Sequence, residues 1–220
     1  MLTRMTDSRI PQPAVRRSYD AVAEDYATRL AGELAGKPLD RALLAALVEE
    51  TAPGGRIADL GSGPGHVAAW LAAHGAAATT AVDLSPGMVE AGRRRFPEVD
   101  FRVGDLLELP AKDGEFAAAV AFYTLIHLRP EDLPRAFAEA HRVLRSEGLL
   151  LLAFHIGDEV RHMDEWWGHD VDLDFRFLDP ARLTNLLEES GFTVRMHLER
   201  APHPDEAQTR RAYLLARRTG

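Results

Sequence analysis

The alternation of short apolar runs with helical stripes predicts an open, doubly wound α/β sheet, and three observations carry that expectation. After the turn Pro53–Gly55, Arg56–Leu60 reads as a strand, Val67–His74 as a helix and Thr79–Leu84 as a strand, which is a βαβ unit. A glycine-rich stretch sits between the first strand and the first helix of that unit, where an open α/β sheet places its ligand loop. Phe116–Phe122 is a near-continuous apolar run, as a central strand covered on both faces requires.

The remaining elements follow in chain order. Val15, Tyr19, Val22, Tyr26 and Leu30 recur at steps of three and four, a helical stripe with two tyrosines on its buried side. Gly36–Pro38 interrupts it, and Leu39–Glu50 is a second helix with Leu43, Leu44, Leu47 and Val48 on one face. Ser85-Pro86 supplies an N-cap and a proline at the first helical position for a helix to about Phe96, and Val99–Val103 is the third strand. The Leu133–Leu144 stripe is the helix after the central strand, and Leu149–His155 is another buried strand. Asp179-Pro180 starts a helix ending at Gly191, and Thr193–Leu198 and Arg211–Ala216 are the last two of seven strands. Residues 156–178 break this rhythm. They read as an insertion over the C-terminal strand edge that shapes the substrate pocket.

Composition narrows the function. With 220 residues, 46% hydrophobic and 27% charged, the chain reads as one domain (residues 15–220) behind a flexible tail at 1–14. A net charge of −8 repels phosphate backbones, so nucleic acid is not an expected partner. The absence of cysteine excludes disulfide scaffolds, Cys-ligated metals and thiol nucleophiles, and permits a reducing cytoplasm, the expected location. No apolar run approaches the roughly 20 residues of a spanning helix, and Met1–Pro13 lacks the apolar core of a secretion signal.

Asp59-Leu60-Gly61-Ser62-Gly63-Pro64-Gly65 follows the first strand and opens the first helix, where bare backbone amides can approach a polar ligand. The dinucleotide fingerprint places its third glycine three residues after the second. Here Gly65 comes two after Gly63, and the Tyr-x3-Lys pair of many nicotinamide-dependent oxidoreductases is absent, so that class is only an alternative. Asp83 ends the second strand, 20 residues after Gly63, where an acid can accept hydrogen bonds from both ribose hydroxyls. Gly104-Asp105-Leu106 turns after the third strand.

With these residues, with Tyr19-Asp20-Ala21-Val22-Ala23-Glu24-Asp25-Tyr26, and with Arg142-Val143-Leu144 and Gly148 before the fifth strand, the chain resembles the class I S-adenosylmethionine-dependent methyltransferases, in particular a small bacterial group. The resemblance covers residues 15–217. It implies a Rossmann-like, seven-stranded sheet in the order 3-2-1-4-5-7-6 with the last strand antiparallel, and N-terminal lid helices over residues 15–50. It also implies S-adenosylmethionine as cofactor and S-adenosylhomocysteine as product. Carried over by position, Asp59, Gly61, Ser62 and Gly63 resemble the loop around the methionine half, and Asp83 the ribose ligand. Leu84 and Met88 resemble the residues flanking adenine, Asp105 the acceptor for its amino group and Leu106 the contact on its ring. Phe122 and Tyr123 resemble the residues beside the sulfonium, and Tyr19 and Tyr26 the lid contacts. A non-catalytic cofactor-binding regulator would carry the same residues.

The acceptor side is less determined. His127 follows the fourth strand at the position that faces the acceptor in this family, and an imidazole can take a proton near working pH, so it is the candidate general base, with a packing histidine as the other reading. A base is optional where positioning supplies the rate. The absence of an Asn-Pro-Pro-Tyr type sequence after the fourth strand disfavours nucleobase amino methylation. Arg93-Arg94-Arg95 reads as a solvated helix face and His66 as a surface residue of the first helical turn. His155, Trp166, Trp167 and Phe177 are candidate substrate contacts, with one tryptophan expected at the pocket and the other gluing the insertion to the sheet. His155, His162, Asp164, His169 and Asp170 lack a helical ligand spacing, and no metal is expected. The expected acceptor is a small molecule. The sequence leaves its identity and the oligomeric state open.

Overall fold

A computed structural model describes residues 12–204 and 206–220. Its central sheet has seven strands: β1 (Arg56–Leu60), β2 (Ala78–Asp83), β3 (Asp100–Val103), β4 (Phe116–Phe122), β5 (Leu144–His155), β8 (Phe192–Arg200) and β9 (Arg211–Arg218). The order is β3-β2-β1-β4-β5-β9-β8. The five strands from β3 to β5 are parallel, and β9 runs antiparallel between β5 and β8. This is the Rossmann-like topology that the resemblance implies, since β8 and β9 are the sixth and seventh sheet strands in chain order.

Period-two alternation within the buried strands supplies both faces of the sheet. Ala58, Leu60, Leu150, Leu152 and Phe154 pack on one side with Phe137 of α5 (Leu133–Val143) and Leu183 and Leu187 of α6 (Pro180–Glu189). Ile57, Leu149 and Leu151 pack on the other with Leu44 and Leu47 of α2 (Pro38–Glu50) and Leu71 of α3 (His66–Ala73). The caps act as their residue types predict. Ser85 Oγ accepts from the Met88 amide at the start of α4 (Pro86–Arg95), and Asp179 Oδ1 accepts from the Ala181 amide at the start of α6.

Three features depart from the sequence reading. Helix α1 spans Gln12–Arg29, with Ala14 and Val15 buried, so residues 12–14 of the expected tail are helical; residues 1–11 lie outside the described ones. The stretch 156–178 is a hairpin of β6 (Val160–Trp166) and β7 (His169–Arg176), paired antiparallel around the turn Trp167-Gly168. Both turn residues have positive φ, the geometry that matches the twist of a two-residue hairpin. Val171, Leu173 and Phe175 alternate with Asp170, Asp172 and Asp174 along β7, and Val171 and Leu173 bury against Val15 and Val22 of α1. The Arg93–Arg95 run is anchored as well as solvated: Arg93 donates to the Phe101 carbonyl, Arg94 pairs with Glu24, and Arg95 donates to the Ala27 carbonyl, which ties α4 to α1. Among the described residues no helix is long and apolar enough to cross a membrane.

Candidate active site

A cavity of about 540 Å³ opens over the C-terminal ends of β1, β2, β4 and β5, beneath α1 and the β6–β7 hairpin. Its floor is the glycine loop. The Gly61 and Ser62 amides both donate to the Val82 carbonyl, at 2.8 and 3.0 Å, which folds the loop back over β2. Gly63, at φ +54°, turns its amide onto Asp83 Oδ2 at 2.7 Å, while Asp83 Oδ1 accepts from the Ser85 amide at 2.9 Å. Each carboxylate oxygen therefore spends one lone pair on the backbone and keeps another. Burial pushes the Asp83 carboxyl up to about 6, partly offset by those two amides. Asp105 accepts from the Leu107 amide through Oδ1 at 2.9 Å, and with Gly104 and Leu106 it lines the same cavity.

Asp59, 2% exposed at the end of β1, accepts from the Ala68 amide in α3 at 3.1 Å and so joins strand to helix. Burial pushes its carboxyl up to about 7. A carboxyl raised in the folded state favours folding below its unfolded value near 4 and loses that contribution as pH rises through about 7. Asp59→Asn keeps an oxygen for the Ala68 amide and carries no charge. Its melting temperature should exceed that of the wild type at pH 8, with the gain gone by pH 4; a difference independent of pH would refute the buried-charge account.

Most of the residues singled out in the sequence meet at this cavity. Tyr19, Tyr26, Gly61, Ser62, Leu84, Phe122, Tyr123, His127, His155 and Trp166 all line it, together with Asp59, Gly63, Asp83, Asp105 and Leu106. Three do not. Met88 is fully buried in the cluster that joins α4 to α1, because the capped first turn of α4 directs it into the core. Phe177 lies behind His155, with ring centroids 5.6 Å apart, and carries the Arg161 guanidinium on its face. Trp167 packs at the hairpin tip against Tyr26 and under Arg29, whereas Trp166 reaches Tyr19 and Tyr26 inside the cavity at 6.1 and 5.7 Å. Trp167 therefore fastens the hairpin tip to α1 and not to the sheet. The candidate metal histidines separate too: His155 meets Thr209, His162 meets Asp174 and His169 meets Asp25. Among the described residues no three His, Asp or Glu side chains gather as a metal site.

His127 is half-buried in the short 3-10 turn after β4, and its two nitrogens are distinguishable. Nδ1 lies 3.0 Å from the Asp174 carbonyl, which can only accept, so Nδ1 carries the proton. Nε2 then accepts from the Tyr19 hydroxyl at 2.6 Å. Burial pushes the imidazole down to about 4, so it is neutral at physiological pH. Just after β4, Tyr123 lies in the left-handed region, φ +55°, a conformation that costs an aromatic residue and that is held by its amide bonding to the Ala153 carbonyl at 2.7 Å.

Other lining residues escaped the sequence reading. His66 is not on the surface; it lines the cavity, with Nε2 3.2 Å from Glu33. Burial would raise the Glu33 carboxyl, but His66 and Lys37 together hold it down to about 2. Lys37, Asp40, His203, Glu206 and Arg211 also reach the cavity from α2 and from the β8–β9 connection. No local motif marks them, because they meet only across more than 160 residues of chain.

The segment 57–148 matches the family described as a methyltransferase domain. A malonyl-[acyl-carrier protein] O-methyltransferase of Halorhodospira halophila is 32% identical over 191 residues, covering 83% of this chain and 62% of that protein. The chain spans about half the length of the curated relatives it matches. Among solved structures, Burkholderia thailandensis 1,6-didemethyltoxoflavin-N1-methyltransferase, with bound 1,6-didemethyltoxoflavin and S-adenosylhomocysteine, superposes with a TM-score of 0.74 at 24% identity, covering 98% of this chain and 94% of that one. The [4+2]-cyclase SpnF superposes with a TM-score of 0.70 at 22% identity over 96% and 99%. These two likenesses concern the fold. The matched segment runs from β1, through the glycine loop and the acid that ends β2, to the start of the apolar part of β5, inside a sheet of the implied order. On that agreement the chain has the class I S-adenosylmethionine-dependent methyltransferase fold, and its segment 57–148 is similar to that family's domain.

Proposed function

We propose that this protein moves the methyl group of S-adenosylmethionine to an oxygen, nitrogen or carbon of a small molecule, in a reducing cytoplasm that its cysteine-free sequence suits. The observation that carries this reading is the joint between the glycine loop and Asp83, where the Gly63 amide and the Ser85 amide aim both carboxylate oxygens over the loop.

The residues fit the cofactor. Asp83 retains one acceptor position on each oxygen, the number that two ribose hydroxyls need. Asp105 retains Oδ2 for an exocyclic amine, and Leu84 and Leu106 supply apolar surface on either side. Aromatic faces from Tyr19, Tyr26, Phe122 and Tyr123, with the acids Asp59 and Asp83, suit a sulfonium charge. When bound, the cofactor supplies an electrophilic methyl carbon. The chain does the rest: α1 and the hairpin exclude water, the aromatic wall orients the acceptor, and the neutral His127 Nε2 takes its proton by way of the Tyr19 hydroxyl that occupies it.

Calorimetric titration with S-adenosylhomocysteine, run beside NAD⁺, tests the reading. One-to-one binding of S-adenosylhomocysteine alone is expected, and preferential binding of NAD⁺ would overturn it in favour of an oxidoreductase. A cofactor-binding regulator separates from an enzyme by never releasing S-adenosylhomocysteine from S-adenosylmethionine when offered acceptors.

The titration also has a pH signature. The ribose hydroxyls donate to the ionised Asp83, and protonation near pH 6 removes that acceptor. Affinity should be flat above pH 7 and about ten-fold weaker at pH 5. Unchanged affinity at pH 5 would separate Asp83 from the ribose.

A further inference from the structure

Beyond the glycine loop the cavity continues over the ends of β5 and β9. Lys37 enters from the cap of α2 and Asp40 from its first turn, Tyr123 from just after β4, His155 from the end of β5, and His203 and Arg211 from the β8–β9 connection and the start of β9. None of these is used by the cofactor reading except Tyr123.

Two features describe what this end could hold. The first is unmet hydrogen bonding. Asp40 is 1% exposed, and its Oδ1 accepts from the Tyr213 hydroxyl at 2.6 Å, but its Oδ2 has no partner; His203 Nε2 is buried and without one as well. A buried carboxylate oxygen without a donor is costly, and such atoms are rare unless something else completes them. The second is charge. Every cation here already faces a carboxylate: Lys37 pairs with Glu33 and lies 3.9 Å from Glu206, Arg200 forks onto Glu206 at 2.7 and 2.8 Å, and Arg211 lies 3.2 Å from the same carboxylate. His155, with Nδ1 on the Thr209 hydroxyl at 2.8 Å, adds no positive charge, since burial and Arg211 hold its imidazole down to about 4.

An anion could reach the unpartnered Arg211 Nε only beside the Glu206 carboxylate that already faces that guanidinium. A cation would meet Asp40 but also three positive side chains around it. A neutral group that donates a hydrogen bond satisfies Oδ2 without disturbing the pairs. The Tyr123 and His155 rings, 5.0 Å apart and tilted 37° to one another, add aromatic surface.

We propose that this end of the cavity is the acceptor-recognition subsite, and that it takes an uncharged molecule whose hydroxyl or amide N–H meets Asp40 Oδ2, in preference to carboxylates, phosphates or ammonium ions. The inference rests on the proposed function only in calling that molecule the methyl acceptor.

Three probes on one ring test it: 3-hydroxybenzamide, 3-hydroxybenzoate and 3-hydroxybenzylamine, titrated at pH 7.5 into the wild-type chain with and without S-adenosylhomocysteine. The amide should bind at least about ten-fold more tightly than either charged probe. Asp40→Asn, which keeps an oxygen for Tyr213 and puts an N–H where Oδ2 was, should reduce the preference over the benzoate to about two-fold or less and should not reduce the preference over the benzylamine. Equal affinities in the wild type, tighter binding of a charged probe, or no binding of any probe at millimolar concentration overturns the proposal. Because the wild-type order decides the matter, a misfolded variant does not. Failure of S-adenosylhomocysteine to bind would sink the cofactor reading alone, while the probe series run without it still judges the subsite.

Discussion

Asp83→Ala should weaken S-adenosylhomocysteine binding by about 30-fold or more, read by calorimetry at pH 7.5. Hydrogen bonds to a charged group contribute roughly 1.5–3 kcal/mol each, and two ribose hydroxyls would lose such bonds together. Ordering the ligand offsets part of this, so about 2 kcal/mol is the expected minimum. The substitution also releases the Gly63 and Ser85 amides, which shapes the loop as well as the ligand contact. A 2′-deoxy analogue of the ligand separates the two. If Asp83 acts on the ribose, the analogue binds the wild type several-fold more weakly, and the gap between analogue and parent closes in the variant. A loss of less than three-fold, or a gap that persists, would show that Asp83 only shapes the loop.

Gly61→Ala should be the most destabilising single change in the site. A Cβ at residue 61 would lie 1.9 Å from Thr124 Oγ1 and 2.4 Å from Thr124 Cβ, and the residue sits at φ +70°, where a side chain is disfavoured. Overpacking costs about 1–3 kcal/mol and the positive φ about 1 kcal/mol more. For a chain of this size that corresponds to a melting temperature lower by roughly 4–16 °C. The clash has a named partner. In the background of Thr124→Gly the overpacking part should vanish, leaving the backbone part, and a double-mutant cycle should report a coupling of about 1–3 kcal/mol. Additive effects would mean that the loops after β1 and β4 do not touch here. The contact matters beyond stability, since it seats Thr124 and the turn bearing His127 against the glycine loop.

Much of the fold was legible because its signals are local. The Phe116–Phe122 run reads as buried on both faces from its composition, and its bounds are those of β4. Ser85-Pro86 and Asp179-Pro180 read as helix starts because a side-chain oxygen two or three residues ahead of an unpaired amide will cap it wherever the helix lies. The stretch 156–178 breaks the strand–helix rhythm in sequence because the outer strand of its hairpin, Val160–Trp166, is polar and largely exposed. The alternation in its inner strand, Val171, Leu173 and Phe175 among aspartates, is a sheet signal obscured by the breaks around it.

The sequence by itself determined the sheet, the glycine turn and the acid 20 residues beyond it, because each depends on residue type and short spacing. Tertiary structure decided the acceptor side. Whether His127 presents a free nitrogen depends on Tyr19, 108 positions away, and on the Asp174 carbonyl of the hairpin, and neither can be read from the histidine's neighbours in sequence. Whether Lys37 offers a positive charge depends on Glu206 as well as on its neighbour Glu33, and Glu206 comes from the far end of the chain, between β8 and β9. A charge announces its residue type in the sequence, but its availability to a ligand is set by what else is buried beside it, and that is a property of packing alone.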